Sequence, residues 1–214
     1  MTSISLNDWP ERIFVTGTDT DVGKSVVSSL LCRGLGAYYW KPVQAGTEPA
    51  TDSERVAKWA GLKENRLFPE TYCLHEPMSP HAAAELEGIE IELSHFNMPT
   101  HPPETRLVVE GAGGLLVPLN RREYIIDLMK KLDIPVLLVG RSGLGTINHT
   151  LLSIMAIREA GLKLHGVVLN GDYHSSNMDA IRHFGSVKRV YSLPLLRFLK
   201  PDHLENAFNQ TFFH

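Results

Sequence analysis

The run Gly17-Thr-Asp-Thr-Asp-Val-Gly-Lys-Ser25 carries the residues whose chemistry is easiest to name. It follows a short apolar stretch, Ile13 to Thr16, and opens a helical pattern, which is the setting a phosphate-binding loop requires. In such a loop, backbone N–H groups turn toward an anion, and the following helix adds about half a positive charge at its N-terminus. Lys24 supplies a full charge for β- and γ-phosphates, and the Ser25 hydroxyl suits Mg²⁺ ligation. Against the pattern GxxxxGK[ST], Thr18 stands at the first glycine position and Gly17 lies just before it. Three more charged residues sit at or near the ends of apolar runs. Glu110 closes Leu107-Val-Val109, where a carboxylate is expensive to bury without a cation. Asp52 opens a helical stretch, where it reads either as a ligand or as a helix N-cap. Lys41 ends a short run and is followed by Pro42; it is either a surface lysine or a cation for charge that develops in phosphoryl transfer.

The elements that must position these residues alternate along the chain. Short apolar runs, rich in β-branched residues, lie at Ile13–Thr16, Ala37–Trp40, Arg106–Glu110, Pro135–Val139, Gly166–Leu169 and Val187–Tyr191. Several are continuously apolar, as expected of strands buried on both faces. Helical patterns fall between them at Lys24–Leu35, Asp52–Ala60, Tyr124–Leu132, Thr146–Ala160 and Ser175–Phe184. This rhythm predicts an α/β fold with a mostly parallel central sheet and helices on both faces. Ligands in such folds bind at the carboxyl ends of the strands, where the polar and glycine-rich residues of this chain cluster. Segment 62–105 contains several prolines and reads as an excursion from a single domain spanning 1–214.

Composition excludes several classes. The chain has 214 residues, 43% hydrophobic and 21% charged, the mix of a globular protein rather than a disordered one. A formal charge of -3 leaves no basic excess for general nucleic-acid binding. No apolar run is long enough for a membrane span, and the polar start from Met1 to Arg12 does not read as a secretory signal. Cys32 and Cys73 form no CxxC pair, so a reducing cytoplasm is expected. Ten scattered histidines without an HExxH pattern give no reason to expect zinc.

Three further segments join the phosphate loop: Lys41-Pro-Val-Gln-Ala-Gly46, Glu110-Gly-Ala-Gly-Gly-Leu-Leu-Val-Pro118 and Gly143-Leu-Gly-Thr-Ile-Asn-His149. In this order the four resemble the dethiobiotin synthetases, over about Ile13 to Pro194. The resemblance implies a P-loop NTPase-like three-layer sandwich and an ATP-dependent cyclo-ligase, working as a homodimer with Mg²⁺. Its substrate would be 7,8-diaminononanoate. One amine takes up CO₂ as a carbamate, ATP phosphorylates the carbamate to a mixed anhydride, and the second amine closes the ureido ring and expels phosphate. No nucleic acid or membrane partner is implied.

The same resemblance assigns residues. Lys41, Lys24 and Thr20 are catalytic, and Ser25, Asp52 and Glu110 hold the metal. ATP is bound by Asp21, Val22, Gly23, Lys24, Ser25 and Val26, by Asp52 and Glu110, and by Gly111, Ala112 and Gly113. Asn170, Gly171, Pro194, Leu195 and Leu196 serve the nucleobase, since an Asn amide offers adenine both a donor and an acceptor. Substrate contacts are Ala45, Gly114, Thr146, Ile147 and Asn148, the last three at a helix start where plain capping is the other reading. Ala45 replaces a Ser or Thr common in the family, with Gln44 as a possible substitute, and Arg189 to Ser192 replace the usual proline and glycine before Pro194. A partitioning-type ATPase, acting as a nucleotide-driven dimer switch, is the alternative; such proteins carry a lysine early in the loop, where positions 16–19 read Thr-Gly-Thr-Asp.

Overall fold

The computed structural model describes residues 5–213; residues 1–4 of the polar opening stretch and residue 214 lie outside that range. In chain order the elements are β1 (Arg12–Gly17), α1 (Lys24–Leu35), β2 (Tyr38–Trp40), β3 (Val43–Ala45), α2 (Asp52–Ala60), β4 (Leu67–Phe68), β5 (Tyr72–Leu74) and α3 (Pro80–Glu87). They continue with β6 (Leu107–Gly114), α4 (Ile125–Leu132), β7 (Val136–Arg141), α5 (Thr146–Glu159), β8 (Leu164–Asn170), α6 (Ser175–Phe184), β9 (Val190–Leu193) and α7 (Pro201–Phe212). Seven strands form one sheet in the order β4-β2-β6-β1-β7-β8-β9, and every pairing is parallel. A second, two-stranded parallel sheet joins β3 to β5.

Parallel strands buried on both faces sort their side chains by alternation. Ile13 and Val15 point to one face with Val108, Leu137 and Val139, where α1, α2 and α7 cover them. Phe14 points to the other with Val109, Val136 and Leu138, beneath α4, α5 and α6. The expected three-layer α/β arrangement is the one observed. Each fully buried Val, Leu or Ile in these layers contributes about 1.5–3 kcal/mol. The α1–α7 contact is so close that a Cβ on Gly34 would lie 2.2 Å from the Phe208 ring. Only glycine fits there.

Several elements differ from the sequence reading, in three stretches of the chain and in the short strand β3. The last strand begins at Val190 rather than Val187, because Ser186 turns the chain with φ 46 and the Val187 amide bonds back to the Arg182 carbonyl. Val187 therefore closes the α6 turn. Segment 62–105 is more than an excursion, since it adds the edge strand β4, the strand β5 and the helix α3. These strands have two or three residues each, too short to show a period. The third difference is α7, which begins with Pro201 in its first turn and buries Leu204, Ala207, Phe208, Thr211 and Phe212.

The sheet order sets the site. β6 lies between β2 and β1, with Trp40 opposite Val109 and Glu110 opposite Val15. The residue after β2, a carboxylate within β6 and the loop after β1 are thereby neighbours at the carboxyl ends of the strands.

Candidate active site

The loop after β1 runs from a strand into a helix, the setting its motif requires. The Thr18 amide is tied to the Val139 carbonyl at 2.8 Å, and Asp21 and Gly23 take positive φ values of 56 and 101. Asp19, Thr20 and Asp21 are exposed, while the Val22 side chain plugs into the α1 layer and anchors the turn. A Cβ on Gly23 would strike the Asn170 amide at 2.2 Å. The Lys24 ammonium folds back onto the Asp19 carbonyl at 3.0 Å, which closes the loop around its own cation. Burial lowers the pKa of Lys24, with Glu110 opposing and Lys41 reinforcing that shift. Arg141, at the end of β7, braces the outer wall through the Thr20 carbonyl at 3.1 Å and Asp19 at 3.6 Å.

Four predicted residues converge next to this loop. Lys41 Nζ lies 2.5 Å from Asp52 Oδ2 and 3.2 Å from Glu110 Oε1. Ser25 Oγ donates to the same Glu110 oxygen at 2.8 Å. Glu110 is fully buried and Lys41 only 3% exposed, so water screens these charges poorly. Burial works against the Lys41 charge, but Glu110 and Asp52 outweigh it and raise its pKa above the ordinary lysine value. For Asp52 burial is likewise the largest influence, and the Lys41 charge overcomes it to lower the pKa. Lys41 is therefore a cation, not a surface lysine. Asp52 is not the helix cap either: Thr51 accepts from the Glu54 amide at 3.2 Å, and Glu54 returns a bond to the Thr51 amide. The Asp52 carboxylate is left free for the site.

A cavity of about 630 Å³ opens onto this cluster. Of the predicted residues, Thr20, Asp21, Gly23, Lys24, Ser25, Val26, Lys41, Ala45, Asp52, Ala112 and Gly113 line it. Val22, Glu110 and Gly111 are buried and do not line it, and Gly114 lines a separate cavity with Thr18, Leu115 and Leu116. The expected nucleobase residues lie apart from it. Pro194 and Leu195 are exposed, Leu196 packs on the α7 layer, and Gly171 is packed against Ser142. Asn170 reaches the loop, but by donating to the Val22 carbonyl at 3.1 Å. Thr146, Ile147 and Asn148 begin α5 outside this cavity, where Thr146 is buried against Thr150.

Sequence reasoning missed several contributors. Arg55 lines the cavity and lies 3.7 Å from Asp52, one helical turn along α2, and Trp59 follows on the same face. Met78, Ser79 and Pro80 bring the start of α3 to the cavity from the segment read as an excursion. Tyr39, inside a continuously apolar run, donates to Glu110 Oε2 at 3.1 Å. The clue was a phenol in a buried strand, which needs a polar partner. Burial is the main reason its pKa is pushed well up, with Glu110 adding to it, so the phenol stays protonated. Gln44 does not replace the missing Ala45 hydroxyl. Its amide donates to the Ala45 and Gly46 carbonyls and accepts from the Asp52 amide at 3.1 Å, which commits it to holding the start of α2.

Comparison with known proteins gives the family. Residues 11–203 match a family described as an AAA domain. The chain is 47% identical over 201 residues to the ATP-dependent dethiobiotin synthetase BioD of Brucella melitensis, covering 94% of each chain, and 46% identical to its counterpart in Brucella abortus over the same span. The chain belongs to the dethiobiotin synthetase family. Solved structures add the fold at much lower identity. A nucleotide-binding protein from Archaeoglobus fulgidus in complex with ADP superposes with a TM-score of 0.51 at 12% identity, covering 95% of this chain and 88% of its own. A ParA family ATPase from Chlorobium tepidum does so at 0.51 and 10% identity, covering 94% and 91%. In this chain the phosphate-loop residues Lys24 and Ser25 and the segment around Lys41 meet at the cavity.

Proposed function

We propose that this chain catalyses the dethiobiotin synthetase reaction, the ATP-driven closure of a cyclic urea from 7,8-diaminononanoate and CO₂, as one domain spanning 1–214. The observation that carries the reading is the Lys41 ammonium held between Asp52 and Glu110 beside a phosphate loop, in a chain whose relatives bear that name. In the reaction one amine nitrogen bonds to the CO₂ carbon and loses a proton, giving a carbamate. A carbamate oxygen then bonds to the γ-phosphorus as the bond to ADP breaks. The second amine attacks the carbamoyl carbon, and phosphate leaves with the oxygen that joined it.

The residues divide this work by charge. The loop amides and Lys24 hold the β- and γ-phosphates, and Thr20 borders the same space. Lys41 stands where carbamate and transferred phosphoryl group meet, so its charge offsets the negative charge that develops there. Ser25, Asp52 and Glu110 form a hard-oxygen set that fits Mg²⁺, since the hydroxyl and one carboxylate share a 2.8 Å contact and both carboxylates reach the same nitrogen. Bound there, the metal would neutralise phosphate charge. Asn170, Gly171 and Pro194 to Leu196 serve the nucleobase, with the Asn170 oxygen still available to accept a bond.

Substrate contacts extend the proposal. Ala45 and Gly114 border the diamine, and the start of α5 at Thr146, Ile147 and Asn148 holds the substrate carboxylate in a partner copy. A homodimer is favoured by exposed apolar residues on and beside α5: Leu116, Leu144, Leu152 and Met155. Among the described residues no helix is long and apolar enough to cross a membrane. Two free thiols, Cys32 and Cys73, suit a reducing cytoplasm.

ADP release measured with purified protein tests the reading. It should depend on both diamine and bicarbonate. Turnover indifferent to diamine would replace this proposal with the nucleotide-switch alternative.

A further inference from the structure

Glu110 is fully buried on β6, and its two oxygens have separate partners. Oε1 takes the two groups that line the cavity, Ser25 Oγ at 2.8 Å and Lys41 Nζ at 3.2 Å. Oε2 takes one bond from behind, the Tyr39 hydroxyl at 3.1 Å. Tyr39 is itself fully buried on β2, within the layer covered by α1, α2 and α7. We propose that Tyr39 is a positioning residue for Glu110: its phenol pins Oε2 and thereby aims Oε1 at the point shared by Ser25, Asp52 and Lys41. The inference rests on the reading of Glu110 as a cation-binding carboxylate.

The physical need is specific. The terminal torsion of a glutamate is broad, so a carboxylate held at one oxygen alone samples a range of tilts. Two anchors on opposite oxygens leave one orientation. An Oε2 without a donor would also be an unpaired charged atom in a buried place, which is costly and draws the group toward another tilt. Groups that orient a ligating carboxylate in this way typically change metal affinity or activity by about 10–100-fold when removed.

Tyr39→Phe removes the hydroxyl and keeps the ring within the same walls. The measurement is ADP binding by calorimetry, first in EDTA and then across a MgCl₂ titration, for the parent, Tyr39→Phe and Glu110→Gln. Cooperative melting checks the fold of each. Tyr39→Phe should bind ADP in EDTA as the parent does, while the magnesium concentration for half-maximal tightening rises about 10-fold. Glu110→Gln should shift it at least as far. A Tyr39→Phe titration that overlays the parent, while that of Glu110→Gln is displaced, would overturn the role of Tyr39 and leave the ligand assignment standing. If Glu110→Gln also overlays, the ligand reading falls and takes this inference with it. Should the phenylalanine variant not fold, 3-fluorotyrosine at position 39 supplies a second reading. It keeps the hydroxyl as a stronger donor to Glu110, so the magnesium midpoint should move away from that of the parent, and an unmoved midpoint counts against the proposal.

Discussion

Lys41→Gln removes the one ammonium group that touches both Asp52 and Glu110 and leaves a side chain of similar reach. The two carboxylates then share a buried space without their common cation. Breaking a buried ion pair by deleting one partner typically costs about 3–5 kcal/mol. For a chain of this size each kcal/mol moves the melting temperature by about 2–4 °C, so the melt should fall by about 6–20 °C. Catalysis should suffer separately. Losing a charge aimed at a developing oxyanion costs about 10²–10³ in kcat, whereas in the proposed function ground-state nucleotide binding rests on the loop and Lys24. The assay pairs thermal melting with steady-state kinetics and an ADP titration. Lowered melting, an ADP affinity close to that of the parent and a kcat reduced about 100-fold are expected. A variant with unaltered kcat refutes the catalytic role, and one with an unaltered melt refutes the shared-cation geometry.

Other perturbations test the parts around that cluster. Thr51→Ala should cost about 1 kcal/mol in urea unfolding with kcat retained, because Thr51 caps α2; a silent Thr51→Ala would return the cap to Asp52. Gly34→Ala gains helix propensity yet should lose about 1–3 kcal/mol, since its Cβ would lie 2.2 Å from the Phe208 ring; a variant melting at or above the parent contradicts the packing. Burial, with Arg189 and Lys163 adding to it, lowers the His165 pKa from 6.5 to about 4. The unfolded chain therefore binds that proton first, and stability should drop by up to about 3 kcal/mol as pH falls from 6.5 to 4. Urea midpoints of His165→Gln against pH should lack that part of the slope, and a slope equal to the parent's excludes His165 as its source.

The legible parts of the chain were those where one segment carries its own signal. The phosphate loop stands between a strand and a helix that both show their pattern, and continuous apolar runs marked the buried strands. Glu110 announced itself as a carboxylate at the end of such a run. What stayed hidden depends on pairing between distant segments. Tyr39 looks like any strand aromatic until β6 lies beside β2 and brings Glu110 to its hydroxyl. Gln44 looked like a substrate contact until Asp52 folded back onto it. β4 and β5 are too short for a period and exist because β2 and β3 offer them an edge. The α7 pattern was different, since Leu204, Ala207, Phe208, Thr211 and Phe212 recur at helical spacing and that signal was present in the residues themselves.

Oxygen transfer tests the central claim most directly. With ¹⁸O-labelled CO₂, diamine and Mg-ATP, rapidly quenched, mass spectrometry should find one labelled oxygen in the released phosphate and one in the ureido carbonyl. That is the outcome when a carbamate oxygen attacks the γ-phosphorus in the Lys41 pocket. Unlabelled phosphate, its fourth oxygen taken from water, would mean ATP is hydrolysed without a carbamate, and would contradict the account.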